Sequence, residues 1–128
     1  MRDYPSIEAW ISVTLKDSDH LSDGTPIEEV ISVVNEIDNI LAFGVNCTSV
    51  NVIDGAADKL ISLSDKPLIL YPNGGRKYEP VKKIWIDQHD ESFVEAAIKW
   101  QEKGVKIIGG CCQVGPGEIS ELVKVLRN

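Results

Sequence analysis

Four apolar stretches, each followed by a segment with helical spacing of apolar residues, constrain the fold of this chain more than any other feature. Strands rich in β-branched and aromatic residues are predicted over residues 9–15, 40–45, 67–71 and 105–108. Helices are predicted from near Pro26, over 50–64 with an interruption at Gly55, over 91–103, and from Pro116. Strands that alternate with helices favour a parallel sheet with right-handed crossovers. The sequence therefore predicts an α/β fold with four consecutive βα units.

Short signals refine the ends of these elements. Thr25 is a predicted N-cap, Gly104 suits the C′ position after the third helix, and Pro116 suits a first helical turn. The loop over residues 72–80 is rich in Pro and Gly, so no regular structure is expected there. An apolar stripe on the last helix is predicted to pack on the sheet, through Ile119, Leu122, Val123 and Leu126.

The pattern alone is compatible with two arrangements of such a sheet. Four strands can form a small open sheet, or they can be half of an eight-stranded barrel, which typically needs about 250 residues. The chain has 128 residues and no low-complexity linker, which predicts a single domain.

Charge and composition exclude several classes of partner. The formal net charge of −7 and the lack of a basic face argue against nucleic acid or an anionic membrane. No apolar segment reaches the roughly 18 residues that span a bilayer, and residues 1–10 do not resemble a signal peptide. A cytoplasmic location is therefore expected. Three cysteines are an odd number, which favours reduced thiols over a disulfide framework.

The three cysteines all follow predicted strands: Cys47 follows the second, and Cys111 and Cys112 follow the fourth. In a barrel, the ends of strands two positions apart point into the same volume, so three thiolates can converge there. Three protein ligands on a tetrahedral zinc ion leave one position open, as in catalytic sites. Buried inert cysteines and a redox pair are the alternatives that the spacing leaves open.

Several motifs are similar to those of the zinc-dependent homocysteine S-methyltransferases. They are GVNC at 44–47, YPNGG at 71–75 and IGGCC followed by P–E–I within 108–119, with SDGTP at 22–26 and WI at 85–86. The resemblance covers nearly the whole chain in the same order. YPN and the residues beside the cysteines resemble the branch that uses S-methylmethionine or S-adenosylmethionine rather than betaine. Residues 75–76 depart from the small and acidic pattern expected after YPN.

The resemblance implies a function in methionine biosynthesis. Cys47, Cys111 and Cys112 would hold Zn²⁺, and a zinc-bound homocysteine thiolate would take a methyl group from the sulfonium donor. Coordination ionises the thiol, so no catalytic residue is expected beyond the metal ligands. The resemblance implies that Asn46 binds the amino-acid end of homocysteine. Ser12 is a weaker candidate, chosen because its strand position faces inward.

The same resemblance assigns residues 1–128 to the second half of a (β/α)8 TIM barrel, a homocysteine-binding domain without the N-terminal half. In the family that half supplies a DGG-type strand and an acidic group. An open half barrel exposes two sheet edges and an apolar inner face, so a homo-oligomer that covers them is expected. The competing hypothesis is a catalytically inactive remnant that binds zinc or a partner chain. His20 and His89 are expected to be solvated rather than ligands.

Overall fold

Six strands and four helices are present in the described part of the chain, which comprises residues 3–74, 76–79, 84–87 and 93–127 of a computed structural model. For residues 76–79 and 84–87 only the backbone is described. The strands are β1 (Ala9–Val13), β2 (Ile40–Asn46), β3 (Leu68–Tyr71), β4 (Arg76–Glu79), β5 (Ile84–Asp87) and β6 (Ile107–Ile108). The helices are α1 (Ile27–Asn35), α2 (Val50–Leu63), α3 (Phe93–Lys103) and α4 (Pro116–Leu126).

The main sheet has four parallel strands in the order β1-β2-β3-β6, so its strands follow one another in sequence. Each strand leads into a helix, and successive helices contact each other. The predicted α/β fold with four consecutive βα units is confirmed. Strands β1 and β6 are the edges of this sheet. All four strands point the same way, so their carboxyl ends lie along one rim, where the cysteines follow.

A second, two-stranded antiparallel sheet interrupts the third βα unit. Strands β4 and β5 pair with Arg76 opposite Asp87 and Glu79 opposite Ile84. The prediction that residues 72–80 lack regular structure is therefore wrong for 76–79. Tyr, Trp and Ile in the two segments have high strand propensity, whereas the Gly and Pro residues that suggested a loop flank β4. The predicted start of the third helix at residue 91 and His89 lie outside the described residues.

One face of the main sheet packs against the helices and forms the core. In register across the strands, Ile11, Phe43 and Leu68 point to this face, as do Val13, Val45 and Leu70. From the helices come Ile31, Ile53, Leu60, Ala97 and Trp100. Trp100 is fully buried, and its indole N–H donates to the Asp54 carboxylate at 3.1 Å. The core is therefore built from both strands and helices of all the βα units.

The observed helix ends correct two local predictions. Pro26 rather than Thr25 is the N-cap residue of α1, because the Thr25 backbone is already engaged in a turn with Asp23 and Leu21. Helix α2 runs through Gly55 without interruption. A side chain at Gly55 would approach Cβ of Ser18 at 3.3 Å, so glycine allows close packing there rather than ending the helix.

Two other local predictions hold. Gly104 follows α3 with a φ of 109°, which is the left-handed conformation of a C′ glycine. Pro116 occupies the first turn of α4. Both residues act through fixed backbone preferences, which explains why they were readable without knowledge of tertiary contacts.

Apolar side chains of the last βα unit are more exposed to solvent than the apolar pattern predicted. Strand β6 has only two residues, and Ile107 is 45% exposed rather than buried. On α4, Leu122 is buried, whereas Val123 is 44% exposed. An edge strand has a neighbour on one side only, so its helix also lacks a second helix to pack against. No helix in the described ranges is long and apolar enough to cross a membrane.

Candidate metal centre

The three cysteines converge at the carboxyl ends of β2 and β6. Their sulfur atoms all lie within 4.8 Å of one another, although Cys47 and Cys111 are 64 positions apart in sequence. Strand β3 lies between β2 and β6 and ends at the same rim, so the parallel register brings the two cysteine-bearing loops together. The expected meeting of the thiols is therefore present in the structure.

Two of the three cysteines are joined to each other. Cys47 and Cys111 form a disulfide with a Cα–Cα distance of 5.4 Å, and Cys112 is a free, exposed cysteine. The expectation of three reduced thiols is therefore not met for this pair. The pairing depends on sheet register, which sequence spacing does not reveal. Because metal ligation needs thiolates, the disulfide and a metal bound by all three cysteines exclude each other.

Backbone hydrogen bonds fix the loops that carry the cysteines. The Cys47 N–H donates to the Tyr71 carbonyl at 3.2 Å, and the Cys111 N–H donates to the Pro72 carbonyl at 2.8 Å. The Gly74 N–H donates to the Cys112 carbonyl at 2.8 Å. The segment after β3 is therefore the common support of both cysteine loops, and it holds their backbones on either side of it.

Cys47 has a backbone conformation that is unusual for a residue with a side chain. Its φ is 49°, in the left-handed region. Such a conformation costs on the order of 1–3 kcal/mol and persists only where the surroundings enforce it, which occurs often at functional sites. The strain therefore marks Cys47 as a residue whose position is imposed by its neighbours.

Two glycines allow the cysteine loops to pack closely. A side chain at Gly74 would approach the Gln113 carbonyl oxygen at 2.4 Å, and one at Gly110 would meet Cγ1 of Val114 at 2.2 Å. Gln113 itself has a φ of 65°. Gly74 of the YPNGG motif therefore lets the segment after β3 pack against the loop that carries Cys111 and Cys112, and the second glycine of IGGCC leaves room for Val114 within that loop.

Asn73 is a further candidate site residue, which the sequence did not predict. Its side-chain oxygen Oδ1 is buried and accepts no hydrogen bond from the described part of the chain. Its backbone N–H donates to the Thr48 carbonyl at 3.0 Å, beside Cys47, while the next residue is bonded to Cys112. A buried acceptor without a donor requires an explanation, and a bound water, ion or ligand can supply one. In the sequence, Asn73 was part of the YPN motif, which indicated the family but did not identify Asn73 as a site residue.

The donor set fits zinc. Thiolates are soft ligands that select zinc among the common divalent ions, and three of them leave a fourth coordination position for a substrate. In addition, the Asn73 oxygen has no hydrogen-bond partner among the described residues, so it is a polar group beside the thiols that they leave unused. Cys47, Cys111 and Cys112 are therefore the residues that could hold the metal once the disulfide is reduced.

The two predicted substrate-binding residues lie on the sheet face that the helices leave uncovered. The Ser12 and Tyr71 hydroxyls form a hydrogen bond of 2.5 Å, although β2 lies between their strands. In the register, Gly44 lies between Ser12 and Ile69, and a side chain at Gly44 would collide with the Ile69 carbonyl. Asn46 is half-buried and in register with Tyr71. The structure therefore places Ser12 and Asn46 on the same uncovered face of the sheet.

The acidic loop after β1 stabilises its own turns. Asp17 accepts the backbone N–H groups of Asp19 and His20 at 2.8 Å, and the first of these bonds, aided by the His20 side chain, lowers the pKa of Asp17. The Thr25 backbone N–H similarly lowers the pKa of Asp23. His20 is paired with Asp17 and belongs to no metal cluster in the described residues. Asp17 and Asp23 are therefore turn caps.

Comparison with known proteins places these features in a family. The family model described as homocysteine S-methyltransferase matches residues 1–126. The homocysteine S-methyltransferase YbgG of Bacillus subtilis is 39% identical over 129 residues, which cover 100% of this chain and 41% of YbgG. The homocysteine S-methyltransferase of Escherichia coli is 38% identical and is covered to 39%. A selenocysteine Se-methyltransferase of Brassica oleracea is 33% identical.

Solved structures give the same answer. The homocysteine methyltransferase MmuM from Escherichia coli, in its oxidized form, superposes with a TM-score of 0.78 and 34% identity over 97% of this chain. The metallated form of MmuM gives 0.77 and 32%. In both, the match covers 38% of the MmuM chain, so this chain spans about two fifths of the relatives it matches. The chain belongs to the homocysteine S-methyltransferase family.

Proposed function

We propose that the chain is a homocysteine-binding methyltransferase domain. It would transfer a methyl group from a sulfonium donor, S-methylmethionine or S-adenosylmethionine, to the sulfur of homocysteine, which gives methionine. The observation that carries the proposal is the convergence of three cysteine sulfurs within 4.8 Å at the carboxyl rim of the sheet. It is supported by the names of the relatives and by the metallated form of MmuM.

Cys47, Cys111 and Cys112 would hold zinc in this proposal. A free thiol has a pKa near 8.5, so only a few per cent of homocysteine is thiolate at neutral pH. Bound zinc would lower the pKa of the homocysteine thiol and hold its sulfur in place. With the nucleophile ionised in this way, the reaction needs no general base. Within the described residues, the candidate metal cluster contains the three cysteines and no His, Asp or Glu.

Asn46 and Ser12 are proposed as contacts for homocysteine below the thiols. Asn46 is half-buried at the end of β2, next to Cys47, so its amide is placed at the right rim for the amino-acid end of the substrate. The Ser12 hydroxyl is already bonded to Tyr71. Ser12 would therefore act together with Tyr71, as a fixed pair of hydroxyls on the substrate side of the sheet.

A metal-binding measurement tests the first part of this proposal. Reduced protein should bind about one zinc ion per set of three cysteines. The Cys112→Ser variant should bind zinc at least tenfold more weakly, because one thiolate is lost. Ser120→Ala, at an exposed position on α4, is the matched control and should bind as the wild type does. Reduced wild-type protein that binds no zinc would refute the metal centre.

A methyl-transfer assay tests the second part. Zinc-loaded protein, homocysteine and S-methylmethionine should give methionine, with S-adenosylmethionine as the alternative donor. The uncovered sheet face favours the competing hypothesis of an inactive remnant, because 63% of Trp10 is exposed beside the proposed substrate site. Zinc binding without methyl transfer, under conditions in which a full-length relative is active, would favour the remnant.

Residues 1–128 are proposed to form one homocysteine-binding domain that corresponds to the second half of a barrel, with a second copy covering its open edges. Beside β1 lies an apolar cavity of about 360 Å³ that includes Glu29 and the exposed Val33. Beside β6 lies one of about 250 Å³ that includes Lys106 and Arg127. Opposite charges on the two edges support head-to-tail pairing of two copies, which would bring eight strands together.

Sedimentation at low micromolar concentration tests the pairing. A dimer is expected, and Val33→Asp should shift it towards monomer because a charge would enter the apolar contact. Ser32→Asp adds the same charge at an exposed position on α1 outside that cavity and is the control. A wild-type monomer that melts cooperatively would show that no second copy is needed.

A cytoplasmic location stays a prediction, which fractionation of cells expressing the protein would test.

A further inference from the structure

Thr48 is a buried polar residue directly after a proposed metal ligand. It is 4% exposed, and among polar and charged residues in 3–74 and 93–127 it alone is classed with the buried residues. The large majority of polar groups buried to this extent have hydrogen-bond partners. The question is therefore what the Thr48 hydroxyl holds in place.

The Thr48 hydroxyl uses both of its hydrogen-bonding roles. Its Oγ1 accepts the backbone N–H of Leu15, just after β1, at 3.1 Å, and it donates to the Asn46 carbonyl at 2.9 Å. The Thr48 carbonyl accepts the Asn73 N–H at 3.0 Å. One residue thus joins the carboxyl ends of β1, β2 and β3.

The bond from Thr48 to Asn46 spans Cys47, the residue with the left-handed φ of 49°. It closes a turn around Cys47, and the bond to Leu15 anchors that turn to the neighbouring strand. Cys111 and Cys112 are held by different bonds, to Pro72 and Gly74. Cys47 is therefore the thiol whose direction depends on the Thr48 hydroxyl.

We propose that Thr48 is a positioning residue for the metal centre: its buried hydroxyl keeps Cys47 in the left-handed conformation that aims the sulfur at Cys111 and Cys112. This inference rests on the proposed function for its biological meaning, although the geometry that it concerns is independent of the metal. Residues that orient metal ligands typically change metal affinity by 10–100-fold when they are replaced.

Three variants separate positioning from general stability. Thr48→Val keeps the shape but removes the hydroxyl, and Thr48→Ser keeps the hydroxyl. Thr14→Val removes a hydroxyl at the end of β1 that is bonded to Ser22 rather than beside Cys47. Zinc affinity is measured by competition with a chelator on reduced, folded protein. The absorption spectrum of added Co²⁺ reports how many thiolates bind.

A drop of at least tenfold in zinc affinity is expected for Thr48→Val, with a weaker cobalt–thiolate absorption. Thr48→Ser and Thr14→Val should stay within about twofold of the wild type. The inference is wrong if the Thr48→Val protein is folded at the assay temperature and binds zinc within twofold of the wild type. Equal losses in Thr48→Val and Thr14→Val would also overturn it, since they would indicate a general effect on stability.

A second readout decides the case if the wild type binds no zinc, which would refute the proposed function alone. The Cys47–Cys111 disulfide forms at the expense of glutathione disulfide, which takes up two electrons and the two thiol protons to become two glutathione molecules. The equilibrium constant depends on how well the two sulfurs are aligned. Thr48→Val should lower it at least tenfold and Thr48→Ser less than twofold. An unchanged constant in Thr48→Val would contradict the inference.

Discussion

The two faces of the parallel sheet have opposite characters. The face that carries Phe43 and Leu70 is apolar and packs against the helices, with both of these side chains fully buried. The other face carries the Ser12–Tyr71 hydrogen bond, and two of its large apolar side chains, Trp10 and Ile107, are 63% and 45% exposed. Neighbouring residues of one strand therefore contribute to very different environments.

This difference separates stability from chemistry. The helix-covered face is completed by local connections, since each helix follows its strand and packs back onto it. The uncovered face has no such partner among the described residues, and it is continuous with the rim where the cysteines meet. Folding energy should therefore come mainly from one face, while substitutions on the other should affect binding more than stability.

The largest expected effect contrasts the two faces within neighbouring strands. Phe43→Ala should lower the free energy of unfolding by about 3–5 kcal/mol, because it leaves a cavity in the core. In the monomeric chain, Trp10→Ala should change it by no more than about 0.5 kcal/mol, because most of that ring is in water when no second copy covers it. Urea unfolding measures both. Equal losses would show that the open face is buried in solution, as a second copy would bury it.

A smaller effect is expected from two glycines near the uncovered face. Gly44→Ala should cost about 1–3 kcal/mol, since the new methyl group would collide with the Ile69 backbone. Gly109→Ala is the matched control, because its methyl group would meet only Cβ of Tyr71, at 3.6 Å. It should stay within about 0.5 kcal/mol of the wild type. Thermal melts of the two variants should differ clearly, and similar melting temperatures would contradict the close approach at Gly44.

The hydrogen bond on the uncovered face should contribute less. Ser12→Ala and Tyr71→Phe should each cost about 1 kcal/mol, and the double variant little more than either, because both remove the same bond. A double-mutant cycle in urea gives this coupling. If the two losses add, the hydroxyls do not interact in solution, and Ser12 would be free to contact substrate by itself.

The smallest effect concerns an exposed ion pair on the helix side. A hydrogen bond from Lys59 lowers the pKa of Glu28 below its ordinary value of 4.5. The folded state therefore favours the Glu28 carboxylate, and this stabilisation is present above pH 4.5 and lost as pH falls through the lowered pKa. Lys59→Met should reduce the loss of stability in acid, as followed by urea midpoints between about pH 6 and pH 3. Glu28→Gln should change the acid loss less in the Lys59→Met background than in the wild type, because the lysine partner is already gone.

Much of the fold could be predicted because its signals are local. The periodicity of residues 27–35 and 50–63 specifies helices whichever neighbours they have, and Gly104 and Pro116 mark helix ends through their own backbone limits. The β4–β5 hairpin was missed because the flanking Gly and Pro residues outweighed short runs of strand-forming residues. The exposure of Val123 was missed because a helical stripe does not show whether a neighbour exists to cover it.

By itself, the sequence determined the order of strands and helices, the placement of Cys47, Cys111 and Cys112 after strands, and the family motifs around them. Only the tertiary structure decided that Cys47 pairs with Cys111, that Ser12 bonds to Tyr71 across β2, and that Thr48 holds the turn around Cys47. Local propensity acts over a few neighbouring residues. Contacts between residues tens of positions apart depend on strand register and packing, which exist only once the sheet has formed.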